Sequence, residues 1–89
     1  MKPLFERIAV IGLGLLGGSV AAAARRQGVA TTVAGTSRSK DARDFALRQQ
    51  WVDEVGNATE AASGADLIVL ATPVFAMADV LRELAPVLP

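Results

Sequence analysis

The sequence predicts a small α/β domain built on a parallel β-sheet. Two apolar stretches without polar alternation, Ile8–Ile11 and Leu67–Ala71, are typical of central strands that are covered on both faces. Shorter strand-like and helical segments lie between and after them, so strand and helix alternate along the whole chain. With right-handed crossovers, this alternation predicts a four-stranded sheet in the order 3-2-1-4 with flanking helices, the first part of a Rossmann fold.

Turn residues place the two shorter strands. Strands two and three are expected at Thr31–Ala34 and Trp51–Val55, each ended by a glycine, Gly35 and Gly56. Trp51 has the chemistry of a stacking platform for a ligand, but a lone tryptophan between a helix and a strand is more often a packing residue. Packing is therefore the preferred interpretation of Trp51.

Apolar spacing and capping residues predict the helices. Helices are expected at Leu15–Gln27 and Lys40–Gln50, and Asn57 with Glu60 resembles a capping box that opens a brief third helix. The apolar faces of the first two helices are expected to contain Leu16, Val20, Ala23 and Ala24, and then Phe45. The last helix is expected to begin with Pro73 in its first turn, to bury Phe75, Ala78, Leu81, Leu84 and Ala85, and to end at Pro86 and Pro89.

The composition excludes several classes of function. Lys plus Arg equals Asp plus Glu at nine each, so charge gives no argument for nucleic acid or an anionic membrane. The chain has no cysteine, and it has no histidine, the commonest general acid–base group and metal ligand. No apolar run approaches the roughly 18–20 residues that span a bilayer, and no signal peptide precedes the first strand. We therefore expect a soluble, cytoplasmic domain without a metal site.

Three glycines follow the first strand at the spacing of the dinucleotide-binding fingerprint. Gly12 would allow the tight turn, Gly14 the close approach of a pyrophosphate, and Gly17 the packing of the next helix on the strand. The pyrophosphate would then lie at the N-terminus of that helix. The alternative is a tight structural turn in another kind of α/β protein.

The residues after strand two favour NADP over NAD. NAD-binding members of this fold place an Asp or Glu there to bond the adenosine ribose hydroxyls, and this chain has Thr36-Ser37-Arg38-Ser39 instead. A hydroxyl at Ser37 beside the Arg38 guanidinium would bind a 2′-phosphate through charge-assisted hydrogen bonds, and Thr36, Ser39 and Lys40 would add donors. The alternative is a solvated polar loop.

A second candidate contact lies at the end of strand four. Thr72 would bond a ribose or phosphate oxygen of the cofactor, and Pro73 would pack on a ring, because ligands gather at the carboxyl ends of parallel strands. Thr72 and Pro73 would equally serve as the N-cap and first residue of the last helix, and the two interpretations are compatible. The carboxylates of Asp53, Glu54, Asp66 and Asp79 are interpreted as solvated surface, so no catalytic residue is assigned.

Four segments together resemble the N-terminal domain of the prephenate/arogenate dehydrogenase family. They are Ile8–Ser19 with its Leu-Leu-Gly-Gly-Ser end, Gly35–Arg38, Val52–Glu54 and Gly64–Val74. Gly35–Arg38 is similar to the NADP-using branch. The resemblance implies an oxidoreductase in tyrosine biosynthesis, in which hydride passes to NADP while carbon dioxide leaves the substrate and its ring aromatises. The family's essential histidine comes later in the polypeptide, so the resemblance carries over only cofactor binding. The residues it implies are Gly12, Gly14, Gly17, Ser37, Arg38 and Thr72, with Leu13, Leu15 and Leu16 contributing loop backbone.

The predicted sheet ends without the fifth strand of a Rossmann fold. We expect residues 1–89 to be a dinucleotide-binding domain truncated before that strand, inactive alone and lacking a C-terminal substrate and dimerisation domain. The bare edge of strand four would otherwise be paired with a second copy of the chain. Two alternatives remain open, a stand-alone NADP(H)-binding module and an engineered half-Rossmann unit without catalysis. The sequence does not choose between prephenate and arogenate.

Overall fold

A parallel sheet runs through the centre of the computed structural model, which describes residues 2–88. Its strands are β1 (Phe5–Ile11), β2 (Ala30–Thr36), β3 (Glu54–Val55) and β4 (Leu67–Leu70). They lie in the order β3-β2-β1-β4, and every neighbouring pair is parallel. The predicted order 3-2-1-4 is confirmed. Because all strands run the same way, the loops that follow β1, β2 and β4 meet at one end of the sheet.

Helices cover both faces of this sheet. They are α1 (Leu15–Arg26), α2 (Lys40–Arg48), α3 (Ala58–Ala62) and α4 (Val74–Leu84), and a 3-10 turn, Ala85–Val87, follows α4. One face of the sheet packs with buried residues of α1 and α2, and the other with buried residues of α3 and α4. None of the helices formed by residues 2–88 is long and apolar enough to cross a membrane.

Several predicted element boundaries were wrong, including the start of β1, which begins at Phe5 rather than Ile8. Gly35 does not end β2 but pairs with Val10 inside the sheet. It is buried, and a larger residue would not fit there because its Cβ would lie 2.8 Å from the Leu13 side chain. Strand β3 is shorter than predicted, since Trp51 and Val52 precede its paired residues. The last helix begins at Val74, one residue after Pro73, which is its N-cap. Pro89, predicted as a terminator, lies outside the described residues.

The predicted buried faces of α1 and α4 were largely wrong. In α1 the buried residues are Gly17, Gly18 and Ala21, whereas Leu16 is 71% exposed. In α4 they are Ala76, Val80 and Leu84, whereas Phe75 is 88% exposed. Leu84 is buried and Ala24 is half-buried, as predicted. Glycine and alanine occupy much of the remaining buried faces, which lets the helix backbones approach the strands closely. The other residues predicted for these faces, Val20, Ala23, Ala78, Leu81 and Ala85, are exposed.

The aromatic pair beside α2 also differs from expectation. Phe45 is 43% exposed rather than a core residue, and its neighbour Ala46 is buried in its place. The Phe45 ring meets Trp51 edge-to-face with ring centroids 5.4 Å apart. Trp51 in turn packs against the core and against Gly18, where a Cβ would lie 2.7 Å from the indole ring. The interpretation of Trp51 as a packing residue is confirmed.

The acidic residues at the amino end of the sheet are exposed, but they are more than solvated surface. The Asp66 carboxylate accepts hydrogen bonds from the backbone N–H groups of Glu6 and Arg7, at 2.7 and 3.2 Å. Asp53 accepts from the Val33 N–H at 2.7 Å and pairs with Arg25 at 2.8 Å. Glu54 pairs with Arg7, and Asp79 pairs with Arg82 on the exposed side of α4. The first three carboxylates therefore join separate elements.

Candidate functional site

A cavity of about 540 Å³ opens at the carboxyl end of the sheet. It lies among the glycine loop after β1, the loop after β2, the N-terminus of α3 and one face of α4. Eight of the predicted site residues line it, namely Gly12, Leu13, Gly14, Thr36, Ser37, Arg38, Thr72 and Pro73. The other four, Leu15, Leu16, Gly17 and Ser39, are not among the lining residues. Most of the sequence-predicted residues therefore converge on one cleft.

Each glycine of the fingerprint has a different steric reason for its place. Gly12 has a φ of 109°, and a Cβ there would lie 2.8 Å from the Ala71 carbonyl oxygen. A Cβ on Gly17 would collide with the Gly12 carbonyl oxygen, so α1 packs on the turn only because that side chain is absent. A Cβ on Gly14 would meet nothing within 4 Å. Gly14 therefore presents open backbone to the cavity, as close approach of a pyrophosphate requires.

The N-terminus of α1 has no capping side chain. Its N-cap is Gly14, which makes no side-chain hydrogen bond, and the first turn contains no acidic residue. The N–H groups of a first helical turn have no partner within the helix, and the helix dipole makes that end positive. An anionic group at this end of the cavity would satisfy those donors.

Backbone hydrogen bonds hold the glycine loop against the end of β2. The carbonyl oxygen of Thr36 accepts from the N–H of Gly12 at 2.9 Å and from the N–H of Leu13 at 3.1 Å. Thr36 itself is buried. The loop that would hold a pyrophosphate and the loop that would read the adenosine ribose are thus fixed relative to each other.

The loop after β2 divides its polar residues between structure and cavity. The Ser37 hydroxyl accepts the Ser39 N–H at 3.2 Å, which leaves its own proton free to donate into the cavity. Ser39 lies outside the cavity as the N-cap of α2, where its hydroxyl accepts the Ala42 N–H at 3.2 Å. Lys40 is also held locally, since its ammonium pairs with Asp44 at 2.8 Å. Ser37 and Arg38 are therefore the loop side chains best placed to reach a ligand.

The end of β4 contributes a hydroxyl without a partner. Thr72 Oγ1 is buried and makes no hydrogen bond to any other described residue. Thr72 is not the N-cap of α4, because Pro73 occupies that position, so its interpretation as a helix cap was wrong. A buried polar atom without a partner costs about 1–3 kcal/mol. A ligand oxygen in the cavity would remove that cost.

Three polar residues of the cavity lining were not predicted from the sequence as ligand contacts: Arg43, Asn57 and Glu83. Asn57 was predicted only as a cap, and the capping box is confirmed, with Asn57 and Glu60 exchanging hydrogen bonds of 2.8 Å. Arg43 lies one turn after the α2 cap. Because helical side chains lean toward the N-terminus, its spacing from Ser39 was a usable signal that it returns to the loop.

Comparison with known proteins gives a consistent result. Residues 20–89 match the family model described as the nucleotide-binding domain of prephenate dehydrogenase. A cyclohexadienyl dehydrogenase of Zymomonas mobilis is 38% identical over 86 residues, which cover 96% of this chain. The crystal structure of Synechocystis arogenate dehydrogenase superposes with a TM-score of 0.85 at 36% identity, covering 93% of this chain.

A more distant structure shares the fold. Prephenate dehydrogenase from A. aeolicus, solved in complex with hydroxyphenyl propionate and NAD+, has a TM-score of 0.83 at 23% identity and covers 94% of this chain. The chain spans 29% of the Zymomonas protein, 29% of the Synechocystis chain and 30% of the A. aeolicus chain. The similarity is thus confined to one part of each longer protein.

Proposed function

The chain belongs to the prephenate dehydrogenase family, as a nucleotide-binding domain, and on that premise we propose that its ligand is NADP(H). The residues at the end of β2 are the observation that favours NADP over NAD. Ser37 and Arg38 line the cavity there, in the place where NAD-binding proteins of this fold carry a carboxylate. A carboxylate would repel a 2′-phosphate, whereas a guanidinium and a hydroxyl would bind it.

The charges around the cavity support this assignment. Arg38 is exposed, and in the part of the chain that the structure describes it makes no ion pair or hydrogen bond, unlike Arg7 and Arg25. Its guanidinium is thus available to a ligand without breaking a protein contact. The lining contains two arginines, Arg38 and Arg43, and one carboxylate, Glu83. Their formal sum is positive, which favours an anionic ligand.

The rest of the cofactor fits the groups along the cavity. The pyrophosphate would lie on the Gly14 backbone and the uncapped N-terminus of α1. Thr72 Oγ1, which lacks a partner, would bond a ribose or phosphate oxygen, and Pro73 would pack on a ring. When bound, the nicotinamide supplies hydride-accepting chemistry, and the residues of this chain bind and orient it.

We propose further that this cofactor serves the oxidative decarboxylation of prephenate or arogenate, in tyrosine biosynthesis. Family membership and the names of the relatives support this part of the proposal. No residue of the chain is assigned a catalytic role. The product of the gene's complete reading frame should turn over prephenate or arogenate with NADP. If that protein turns over neither substrate, the proposed reaction is wrong, but the nucleotide assignment is unaffected.

Calorimetric titration of the 89-residue chain tests the nucleotide assignment. NADP should bind more tightly than NAD. Arg38→Ala should weaken the affinity for NADP about 10- to 100-fold, which is the effect expected from the loss of a charge-assisted hydrogen bond. The same variant should keep the affinity for NAD within about twofold of the wild-type value, because NAD has no 2′-phosphate for Arg38 to contact.

Arg48→Ala is the matched control, since Arg48 is exposed at the end of α2 and lies outside the cavity lining. It should change neither affinity. Equal affinities of the wild-type chain for NADP and NAD, or an Arg38→Ala variant with unchanged NADP affinity, would overturn the assignment.

A further inference from the structure

Arg43 is tied to the loop that would read the 2′-phosphate. It lies in the first half of α2, is half-buried and lines the cavity together with Ser37 and Arg38. Its Nη1 donates a hydrogen bond to the Ser37 carbonyl oxygen at 3.1 Å. That carbonyl belongs to the peptide linking Ser37 to Arg38, so the Arg43 guanidinium lies beside the backbone of both residues.

Arg43 makes no ion pair with a carboxylate among residues 2–88. The ion pairs there use Arg7, Arg25, Lys40 and Arg82. A guanidinium has several N–H donors in a planar fork, and one hydrogen bond to Ser37 leaves most of them unused. Arg43 is thus held in place through one donor while its other donors remain available at the cavity.

We propose that Arg43 is a specificity-determining residue, which fixes the Ser37–Arg38 turn and contributes a second guanidinium to the 2′-phosphate of NADP. This inference rests on the proposed function and adds to it. A phosphate monoester carries more than one negative charge at neutral pH, so Arg38 alone neutralises it only in part. Arg38 is exposed, whereas Arg43 is half-buried, less screened by water and anchored by a backbone contact.

The test compares Arg43→Gln and Arg43→Lys with Arg48→Gln, an exposed arginine five residues further along α2. The readout is the ratio of the dissociation constants for NAD and NADP, measured by calorimetry on each folded variant. Arg43→Gln should weaken the affinity for NADP about tenfold or more and leave the affinity for NAD nearly unchanged. Arg43→Lys should recover part of the loss, because it restores the charge without the planar fork. Arg48→Gln should not change the ratio.

The pH dependence separates contact with the phosphate from a structural role. The second ionisation of a phosphate monoester lies near pH 6, so NADP affinity of the wild-type chain should fall as the pH is lowered through about 6. Arg43→Gln should flatten this dependence, because less of its binding depends on the second phosphate charge. Melting temperatures of the variants and the wild type identify any general loss of folding.

The possible outcomes distinguish this inference from the function on which it rests. If Arg43→Gln keeps the wild-type NADP affinity while Arg38→Ala loses it, Arg43 does not determine specificity and the proposed function stands. Equal losses of NADP and NAD affinity in Arg43→Gln would reduce Arg43 to a structural residue. If the wild-type chain shows no preference for NADP, the proposed function fails first, and this inference fails with it.

Discussion

The two ends of the parallel sheet differ in how their charged and polar groups are satisfied. At the amino end, Asp53 accepts hydrogen bonds from β2 and from Arg25 on α1. Asp66, just before β4, accepts from backbone N–H groups of β1, and Arg7 of β1 pairs with Glu54 of β3. These contacts join elements that are distant in sequence, so the charges at this end stabilise the fold.

At the carboxyl end, the polar groups of the described residues are less completely paired, although Arg43 donates one hydrogen bond to the Ser37 carbonyl oxygen. Thr72 Oγ1 is buried without a hydrogen bond, and Arg38 and Arg43 make no ion pair. The N-terminus of α1 has no side-chain cap. Hydrogen-bonding groups are costly to leave unmet when buried, and their concentration at one end marks where a ligand is expected. Substitutions at the two ends should therefore have different consequences.

The largest expected effect breaks this separation, because Gly17 lies at the carboxyl end of the sheet and its substitution should nevertheless lower the stability of the fold. Gly17→Ala would drive a Cβ into the Gly12 carbonyl oxygen and to within 3.1 Å of the Ala71 side chain. Helix α1 would have to move away from β1 and β4, so we expect a loss of about 3 kcal/mol or more in the free energy of unfolding. Nucleotide binding should be lost with it. Chemical denaturation and calorimetric titration measure the two effects.

Gly14→Ala is the control for that experiment. Gly14 has a φ of −81°, which other residues adopt, and a Cβ there would meet nothing within 4 Å. The free energy of unfolding of Gly14→Ala should stay within about 0.5 kcal/mol of the wild-type value. Its added methyl group should reduce nucleotide affinity. A stable Gly17→Ala chain that still binds the nucleotide would contradict the close packing of α1 on the glycine turn.

Asp53→Ala should act on the amino end alone. It removes the acceptor of the Val33 N–H and the partner of Arg25, so we expect a loss of about 1–2 kcal/mol, reduced from a fully buried case by solvent exposure. Nucleotide affinity should be unchanged. Asp79→Ala is the matched control, because the Asp79 and Arg82 side chains are 77% and 75% exposed and their pair should contribute under about 0.5 kcal/mol. Equal effects of the two variants would contradict the assigned role of Asp53.

The same residue gives a pH dependence of definite sign. Partial burial raises the pKa of the Asp53 carboxyl, but the Val33 hydrogen bond and the Arg25 guanidinium together lower it below its ordinary value of 3.8. A carboxyl whose pKa is lowered by folding stabilises the protein above its ordinary pKa and loses that contribution as pH falls through the folded-state pKa. The stability difference between the wild type and Asp53→Ala should therefore be full at neutral pH and disappear in strong acid.

The topology and most of the cavity were predictable, because they follow from short-range signals. The order of the strands came from the alternation of strand and helix, and the glycine spacing identified the turn that meets Ala71. The helix faces were not predictable in the same way. Eight of the eleven residues of α4 are apolar, so its sequence allows more than one apolar stripe, and packing on the sheet selects Ala76 and Val80 over Phe75.

Polar contacts between residues distant in sequence were equally unpredictable from the sequence. The sequence places Asp53 before a strand and Arg25 at the end of a helix, but their pairing depends on how α1 crosses the sheet. Arg43 belongs to a helix of mixed charge, where nothing in the composition separates it from Arg48. The spacing of Arg43 from Ser39 indicates that its side chain returns toward the loop, but the structure is needed to show that it contacts the Ser37 carbonyl oxygen. The role of a residue that contacts backbone distant in sequence is therefore identified only from the structure.

The smallest expected effect sharpens the comparison at the carboxyl end. Thr72→Val replaces the buried hydroxyl that lacks a partner with a methyl group of similar size. Because no protein hydrogen bond is lost, the free energy of unfolding should stay the same or rise slightly. Nucleotide affinity should fall by about fivefold to tenfold, equally for NADP and NAD, since Thr72 lies away from the end of β2. Thr72→Ser keeps the hydroxyl and should retain most of the affinity. A Thr72→Val chain that binds both nucleotides like the wild type would show that this hydroxyl is simply unsatisfied, and a buried polar atom without a partner would then not mark a ligand contact in this fold.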